Sequence, residues 1–202
     1  MAIPREPFGK LEAESCEQDR VGLRRDYTPA PQVTLSYLLG VLHDATKRKS
    51  TYRIATNSKA FGEILKRGIH NLGANVWMYG EGKTRDLWIV EFSQNLLKGF
   101  TITSKQQKID YIRGYFDAEG GVAKDPNIRY YLYFAQKDRS DIEQLRSYLE
   151  SIGICCGKIH NSSKRVDPNY WRFYVSAKSY TDFAKFIGSS HPEKRRYLRM
   201  KI

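Results

Sequence analysis

The sequence predicts an α+β protein made of two related halves, with antiparallel strands packed under helices and a helix from each half paired at the centre. Three observations predict it. Strand-and-helix segments recur about 80 residues apart, each half opens on a short helix with a glycine at its middle, and the body of the chain is strongly basic. With 202 residues and 41% hydrophobic content, the chain can bury one good core or two small fused ones.

Residues 1–30 carry five basic and six acidic side chains with few aliphatics, and are predicted to be an N-terminal extension without a core of its own. The first half is assigned to residues 31–102. Its opening helix follows Pro31, is capped by Thr34 and runs from Leu35 to Ala45 across Gly40. Residues 52–59 alternate as a strand and lead into a helix with a stripe of Phe61, Ile64, Leu65 and Leu72, stopped at Gly73. Trp88–Ser93 is a further strand.

The second half is assigned to residues 103–202. Its opening helix is capped by Thr103 or Ser104 and runs from Lys105 to Gly121 across Gly114. Residues 132–139 answer 52–59 at an offset of 80, and the stripe Ile142, Leu145, Leu149, Ile152 stops at Gly153 at the same offset. Trp171–Ser176 answers Trp88–Ser93 at an offset of 83, as Phe183 answers Phe100, with the three extra residues in the polar loop 161–169. From these matches each copy reads as helix–strand–helix–strand. A mid-helix glycine costs about 1 kcal/mol against alanine. Its compensation is close backbone approach, so the two opening helices are expected to pack on each other at Gly40 and Gly114.

Beyond residue 30 the chain carries 29 basic against 16 acidic side chains, a net of +13, which points to a nucleic-acid polyanion as partner. No run of about 18 apolar residues exists, so no membrane-spanning helix is expected. The first residues lack a signal-peptide core, so a cytoplasmic location is expected, associated with the nucleoid in a prokaryote. Cys16, Cys155 and Cys156 form neither a disulfide framework nor a zinc pattern, and the adjacent pair reads as small buried filler. Glu81-Gly-Lys83 lacks the preceding Asp of a PD-(D/E)xK nuclease, and His70-Asn71 and His160-Asn161 lack the partners of an HNH site. No phosphate-binding P-loop or nucleophile elbow is present.

Ile112-Arg-Gly-Tyr-Phe-Asp-Ala-Glu-Gly120 resembles the LAGLIDADG motif of homing endonucleases, and Leu38-Leu-Gly-Val-Leu-His-Asp-Ala-Thr46 resembles a divergent first copy. Two copies in one chain resemble the single-chain, pseudo-symmetric members. The resemblance implies two αββαββα half-domains, sheets that form a DNA-binding saddle, paired central helices and a monomer. It implies sequence-specific cutting of double-stranded DNA at a long target site, with intron RNA as a further partner. It also implies Mg²⁺ (or Mn²⁺, with Ca²⁺ as a non-productive substitute) held by Asp44 and Glu119, and Gln136 and Lys137 near the attacking water, matched by Thr56 and Asn57 in the first half. Such carboxylates can hold ions about 3.5–4 Å apart to clamp the attacking and leaving oxygens of a phosphodiester.

One departure stands out: Gly40 to Asp44 is four residues, whereas Gly114 to Glu119 is five. Either the first helix is one residue shorter before its acid, or this half has lost its ligand and Ala45 holds the position. The first alternative is favoured, because Asp44 is followed by a small residue as Glu119 is. For Asp117 the resemblance implies a structural residue of the helix end rather than a ligand. A non-catalytic DNA- or RNA-binding protein of the same fold, an intron maturase or a regulator, is the alternative reading.

DNA is expected against the sheets, since a β-ribbon fits the major groove. Alternation places Tyr52, Ile54, Leu132 and Phe134 toward the core, and Thr51, Arg53, Tyr131 and Tyr133 on the opposite face. Lys47, Arg48, Lys49, Lys83, Arg85, Arg129, Lys158, Arg165 and Arg172 complete the expected contact surface, arginines at guanine edges and lysines at phosphates. The C-terminal run 193–201 is expected to touch backbone phosphates as well.

Overall fold

In the computed structural model, residues 32–82 and 86–201 are described. The expected extension at 1–30 and the candidate contacts Lys83 and Arg85 lie outside them. Helix α1 (Leu35–Val41) starts at Thr34, whose hydroxyl accepts from the Tyr37 amide at 3.1 Å. It tightens into a 3₁₀ turn, Leu42–Asp44, so its end differs from the single helix expected through Ala45. Helix α3 (Lys105–Glu119) starts at Ser104 in a capping box with Gln107 and stops at Glu119, two residues before the expected end.

The two helices meet at their glycines. A Cβ on Gly40 would lie 2.1 Å from the Tyr111 carbonyl oxygen, and one on Gly114 would lie 2.0 Å from that of Tyr37. The clash is of a side-chain carbon on partner backbone and is reciprocal, so only glycine permits this approach. Two crossed hydrogen bonds flank it. The Tyr37 hydroxyl donates to Asp117 Oδ2 at 2.6 Å, and the Tyr111 hydroxyl lies 2.7 Å from His43 Nε2. Each tyrosine stands three residues before its own glycine and each partner three after the other glycine, a two-fold relation written in side chains.

Each half places an antiparallel sheet beside this pair. The first has order β1-β2-β4-β3, from β1 (Ala45–Lys47), β2 (Thr51–Thr56), β3 (Val76–Gly80) and β4 (Trp88–Ser93). The second has order β5-β6-β7, from β5 (Gly120–Val122), β6 (Leu132–Gln136) and β7 (Trp171–Tyr174). Each half is therefore richer in strands than the helix–strand–helix–strand reading, because the short strands β1 and β5 and the edge strand β3 have too few alternating residues to stand out. In the second half the place of β3 is taken by single bridges, Cys156 to Val175 and His160 to Arg172.

Helices α2 (Lys59–Asn71) and α4 (Arg139–Ser151) cover the sheets, capped by Ser58 and Asp138, and both are followed by a glycine with positive φ, Gly73 and Gly153. Lys59 sits over the Trp88 ring at 4.8 Å and Arg139 over Trp171 at 4.7 Å, the same pair in each copy. The halves end differently. The first closes on a 3₁₀ turn, Gln94–Leu97. The second runs through a 3₁₀ turn, Ala177–Ser179, into α5 (Tyr180–Asp182), a π-helical turn at Phe183–Ile187 and α6 (Pro192–Leu198).

Two apolar cores result. One gathers Tyr37, Leu38, Ile54, Phe61, Leu65, Ile69, Val90 and Phe92. The other gathers Ile112, Tyr115, Phe116, Leu132, Phe134, Leu145, Leu149 and Phe173, and Leu39 packs against both. Cys155 is buried, and Cys156 is a half-buried free thiol. No described helix is long and apolar enough to cross a membrane.

Candidate active site

Asp44 is the last residue of the 3₁₀ turn and Glu119 the last of α3. Each is followed at once by the first residue of a strand, and those residues hold equivalent registers, Ala45 opposite Ile54 and Gly120 opposite Phe134. The sheet register thus makes Asp44, not Ala45, the counterpart of Glu119. The missing residue is absorbed by helix geometry. Five α-helical steps of about 1.5 Å and one such step plus three 3₁₀ steps of about 2.0 Å advance the chain equally, about 7.5 Å.

The Glu119 carboxyl senses the charge of Asp44. Burial and then the charge of Asp44 push the Glu119 carboxyl up from its ordinary value, while the Lys194 ammonium pulls it down. Asp44, more exposed, is also pushed up by partial desolvation and pulled down by Lys194. A carboxyl raised on folding adds stability only while protonated, so that stability is present at acidic pH and lost as pH rises through the folded value. Glu119→Gln in the metal-free protein is therefore expected to melt higher than wild type at pH 8, with the gap closing toward pH 5. Thermal melts across that range check it, and a lower melting point at pH 8 would contradict the electrostatic account.

Lys194, on α6, is the residue the sequence reading missed. Its Nζ donates to the carbonyls of Phe116 (2.7 Å), Asp117 (2.8 Å) and Gly120 (2.8 Å), so it caps the end of α3. Burial pushes its ammonium down to about 8, against the pull of Asp117, Glu119 and Asp44. The phosphate-contacting role expected of 193–201 is not the one Lys194 takes up; its Pro192 start was the legible signal of a helix there.

Asp117 is buried as the structural reading expected. Its carboxylate accepts from Tyr37, from the Ser190 amide at 2.9 Å and, in a short contact, from the Ser189 hydroxyl. His43 was not singled out by sequence either. Its Nδ1 lies 3.2 Å from Asp141 on α4, and its ring packs on Tyr115 at 4.3 Å, tying the 3₁₀ turn to the other half.

A cavity of about 330 Å³ opens beside Asp44, lined among others by Thr56, Asn57, Asp117, His191, Glu193 and Lys194. It brings Thr56 and Asn57 to the first carboxylate. In the second half Gln136 is half-buried, its Oε1 accepting from the Lys137 amide at 2.7 Å. The Lys137 side chain is 76% exposed and stands 3.8 Å from Asp167. Among the described residues no cluster of three or more His, Cys, Asp or Glu could hold a metal by itself. Two carboxylates open to solvent suit Mg²⁺, which takes one or two protein carboxylates and completes its shell with water and substrate phosphate oxygens.

On the outer face of the first sheet, Thr51, Arg53, Trp77, Tyr79 and Glu91 lie together by register. Arg53 is paired closely with Glu81, and Glu91 accepts from Thr51 at 2.6 Å and Tyr79 at 3.0 Å. Lys47 stands opposite Tyr52, in the register of the core face, so it does not share the side of Arg53 although it is exposed. Arg48, Lys49, Arg129, Lys158 and Arg165 are exposed. On the second sheet Tyr133 faces Tyr174. The Arg172 guanidinium lies 4.7 Å from the Tyr133 ring and 5.2 Å from that of Tyr170, and it donates to the Tyr170 and Tyr174 hydroxyls. Tyr131 packs partly on the core, with its ring 5.9 Å from that of Tyr133. The surface is thus more aromatic than a lysine-and-arginine inventory suggests.

Residues 106–188 match the LAGLIDADG-like domain family. A stretch of 117 residues is 32% identical to an uncharacterised protein of Methanocaldococcus jannaschii, covering 50% of this chain and 42% of that relative's length. Among solved structures, I-DmoI in complex with DNA and Ca aligns with a TM-score of 0.59 at 20% identity, over 81% of this chain and 95% of that one. The N-terminal LAGLIDADG domain of WhiA aligns with a TM-score of 0.60 at 17% identity, over 76% of this chain and 80% of that one. At such identities the likeness shows a shared fold.

Proposed function

We propose, for a chain that its fold and its second motif make a LAGLIDADG protein, that it is a metal-dependent, sequence-specific endonuclease acting on double-stranded DNA as a monomer. The observation that carries this reading is the equivalence of Asp44 and Glu119, each ending a central helix at the same strand register. I-DmoI, whose fold this chain shares, is a homing endonuclease solved with its target DNA and with Mn, Mg or Ca. A bound divalent ion would neutralise phosphate charge and lower the pKa of a bound water. Asp44 and Glu119 would hold it, while the crossed bonds of Tyr37 and Tyr111 keep the helix ends that carry them in register. Thr56 and Asn57, which line the cavity beside Asp44, and Gln136 and Lys137, their counterparts at the end of β6, would order water and phosphate oxygens. Arg48, Lys49, Arg129, Lys158 and Arg165 would neutralise backbone phosphates, and Thr51, Arg53, Tyr133 and Arg172 would face base edges.

Cleavage of a selected target by Asp44→Asn, with Ala45→Asp as its companion, tests the first-half assignment. Asp44→Asn is expected to lose double-strand cutting, and Ala45→Asp is not expected to restore it in that background. Full double-strand cutting by Asp44→Asn would show the assignment to be wrong. A second reading, a DNA or RNA binder of the same fold without cleavage, draws support from Lys194, whose ammonium already offsets the carboxylate pair.

A further inference from the structure

We propose that Lys194 is the positioning residue of the Glu119 carboxylate, and that the segment 187–194 clasps the two halves around the site; the link to catalysis rests on the nuclease reading. A helix end leaves its last carbonyls without partners, and those of α3 lie partly inside the protein. Lys194 Nζ takes the carbonyls of Phe116, Asp117 and Gly120, on both sides of Glu119. Three bonds from one ammonium fix the backbone from which the Glu119 side chain leaves.

The ammonium is itself held in place. Pro192 opens α6 two residues before Lys194, and the preceding residues are anchored on both halves. Arg113 Nε donates to the Ile187 carbonyl, Ser189 and Ser190 bond to Asp117, and the His191 ring packs 4.6 Å from Phe61 of the first half. Three residues of this segment, His191, Glu193 and Lys194, wall the cavity beside Asp44. The clasp therefore reaches both carboxylates, although it belongs to the second half alone. Among the described residues nothing equivalent closes the first half, whose last element is the 3₁₀ turn Gln94–Leu97.

Two readouts on Lys194→Met separate positioning from bulk stability, with Lys194→Arg as the conservative variant. In the DNA-free protein, amide exchange at residues 119–122 is expected to speed up while α1 and α4 keep their protection. At saturating metal and below the melting transition, single-turnover cutting is expected to slow on the order of tenfold to a hundredfold, as misplacement of a reacting group does. DNA affinity should stay within about threefold, and Lys194→Arg should recover part of the rate by keeping the charge and the donors. Unchanged exchange at 119–122, or a rise spread evenly over both halves, would overturn the proposal. So would wild-type cutting by Lys194→Met. If wild type binds DNA without cutting, the nuclease reading fails, and the exchange arm still decides whether Lys194 holds the Glu119 helix end.

Discussion

Gly114→Ala is expected to lower stability by about 3 kcal/mol, at the upper end of what overpacking costs. The new methyl group would lie 2.0 Å from the Tyr37 carbonyl oxygen and 3.1 Å from the Val41 amide, both backbone atoms of the partner helix. No rotamer relieves such a contact, so the helices must separate. Alanine's better helix propensity returns only about 1 kcal/mol. For a chain of this size the melting point should fall by roughly 6–12 °C. Gly40→Ala meets Tyr111 in the same way and should behave alike, whereas alanine at Gly80, where nothing lies within 4 Å, should change little. Equilibrium denaturation of the three variants checks this, and a neutral Gly114→Ala would mean that the central helices do not pack as described.

Glu119→Gln is expected to cut metal-dependent cleavage about a hundredfold to a thousandfold while leaving DNA binding within about threefold of wild type. The exchange removes one charge from the carboxylate pair and no packing volume, and it leaves the Lys194 bonds, which go to backbone carbonyls, intact. A loss of about a hundredfold to a thousandfold is the scale found when one group that stabilises transition-state charge is removed. Titration of labelled DNA together with single-turnover cutting separates the two effects. Weakened binding with unchanged cutting would move Glu119 from the chemistry to the interface.

The halves, their central helices and their glycine contact were legible because repeats and mid-helix glycines are local signals. Asp117 was legible as structural only through the resemblance of the motif it lies in. The place of Asp44 was only half legible. Counting residues from Gly40 assumes one helix geometry, and the switch to a 3₁₀ turn, which conserves length rather than residue number, shows only once strand registers are known. Lys194 was hidden for a different reason. A lysine beside arginines reads as a solvated phosphate contact, and only tertiary placement turns its ammonium onto carbonyls 74 to 78 residues away in sequence. The role of His43 was likewise invisible, because its partners Tyr111 and Asp141 come from the other half.

Arg53 and Arg172 show the limit of reading a binding face from charge. Both lie on the outer sheet faces, yet Arg53 is paired with Glu81, and Arg172 is packed among tyrosines with its donors partly used. Donors already engaged must exchange those partners for DNA, which favours a defined geometry over simple charge attraction.

The most direct test of the central claim is incubation of wild-type protein with a supercoiled plasmid library and Mg²⁺, followed by sequencing of the ends. Cutting of both strands at one long recurrent sequence, dependent on metal and lost in both Asp44→Asn and Glu119→Gln, is the predicted result. Tight, sequence-selective DNA binding without nicking under Mg²⁺, Mn²⁺ or any other divalent ion would contradict it.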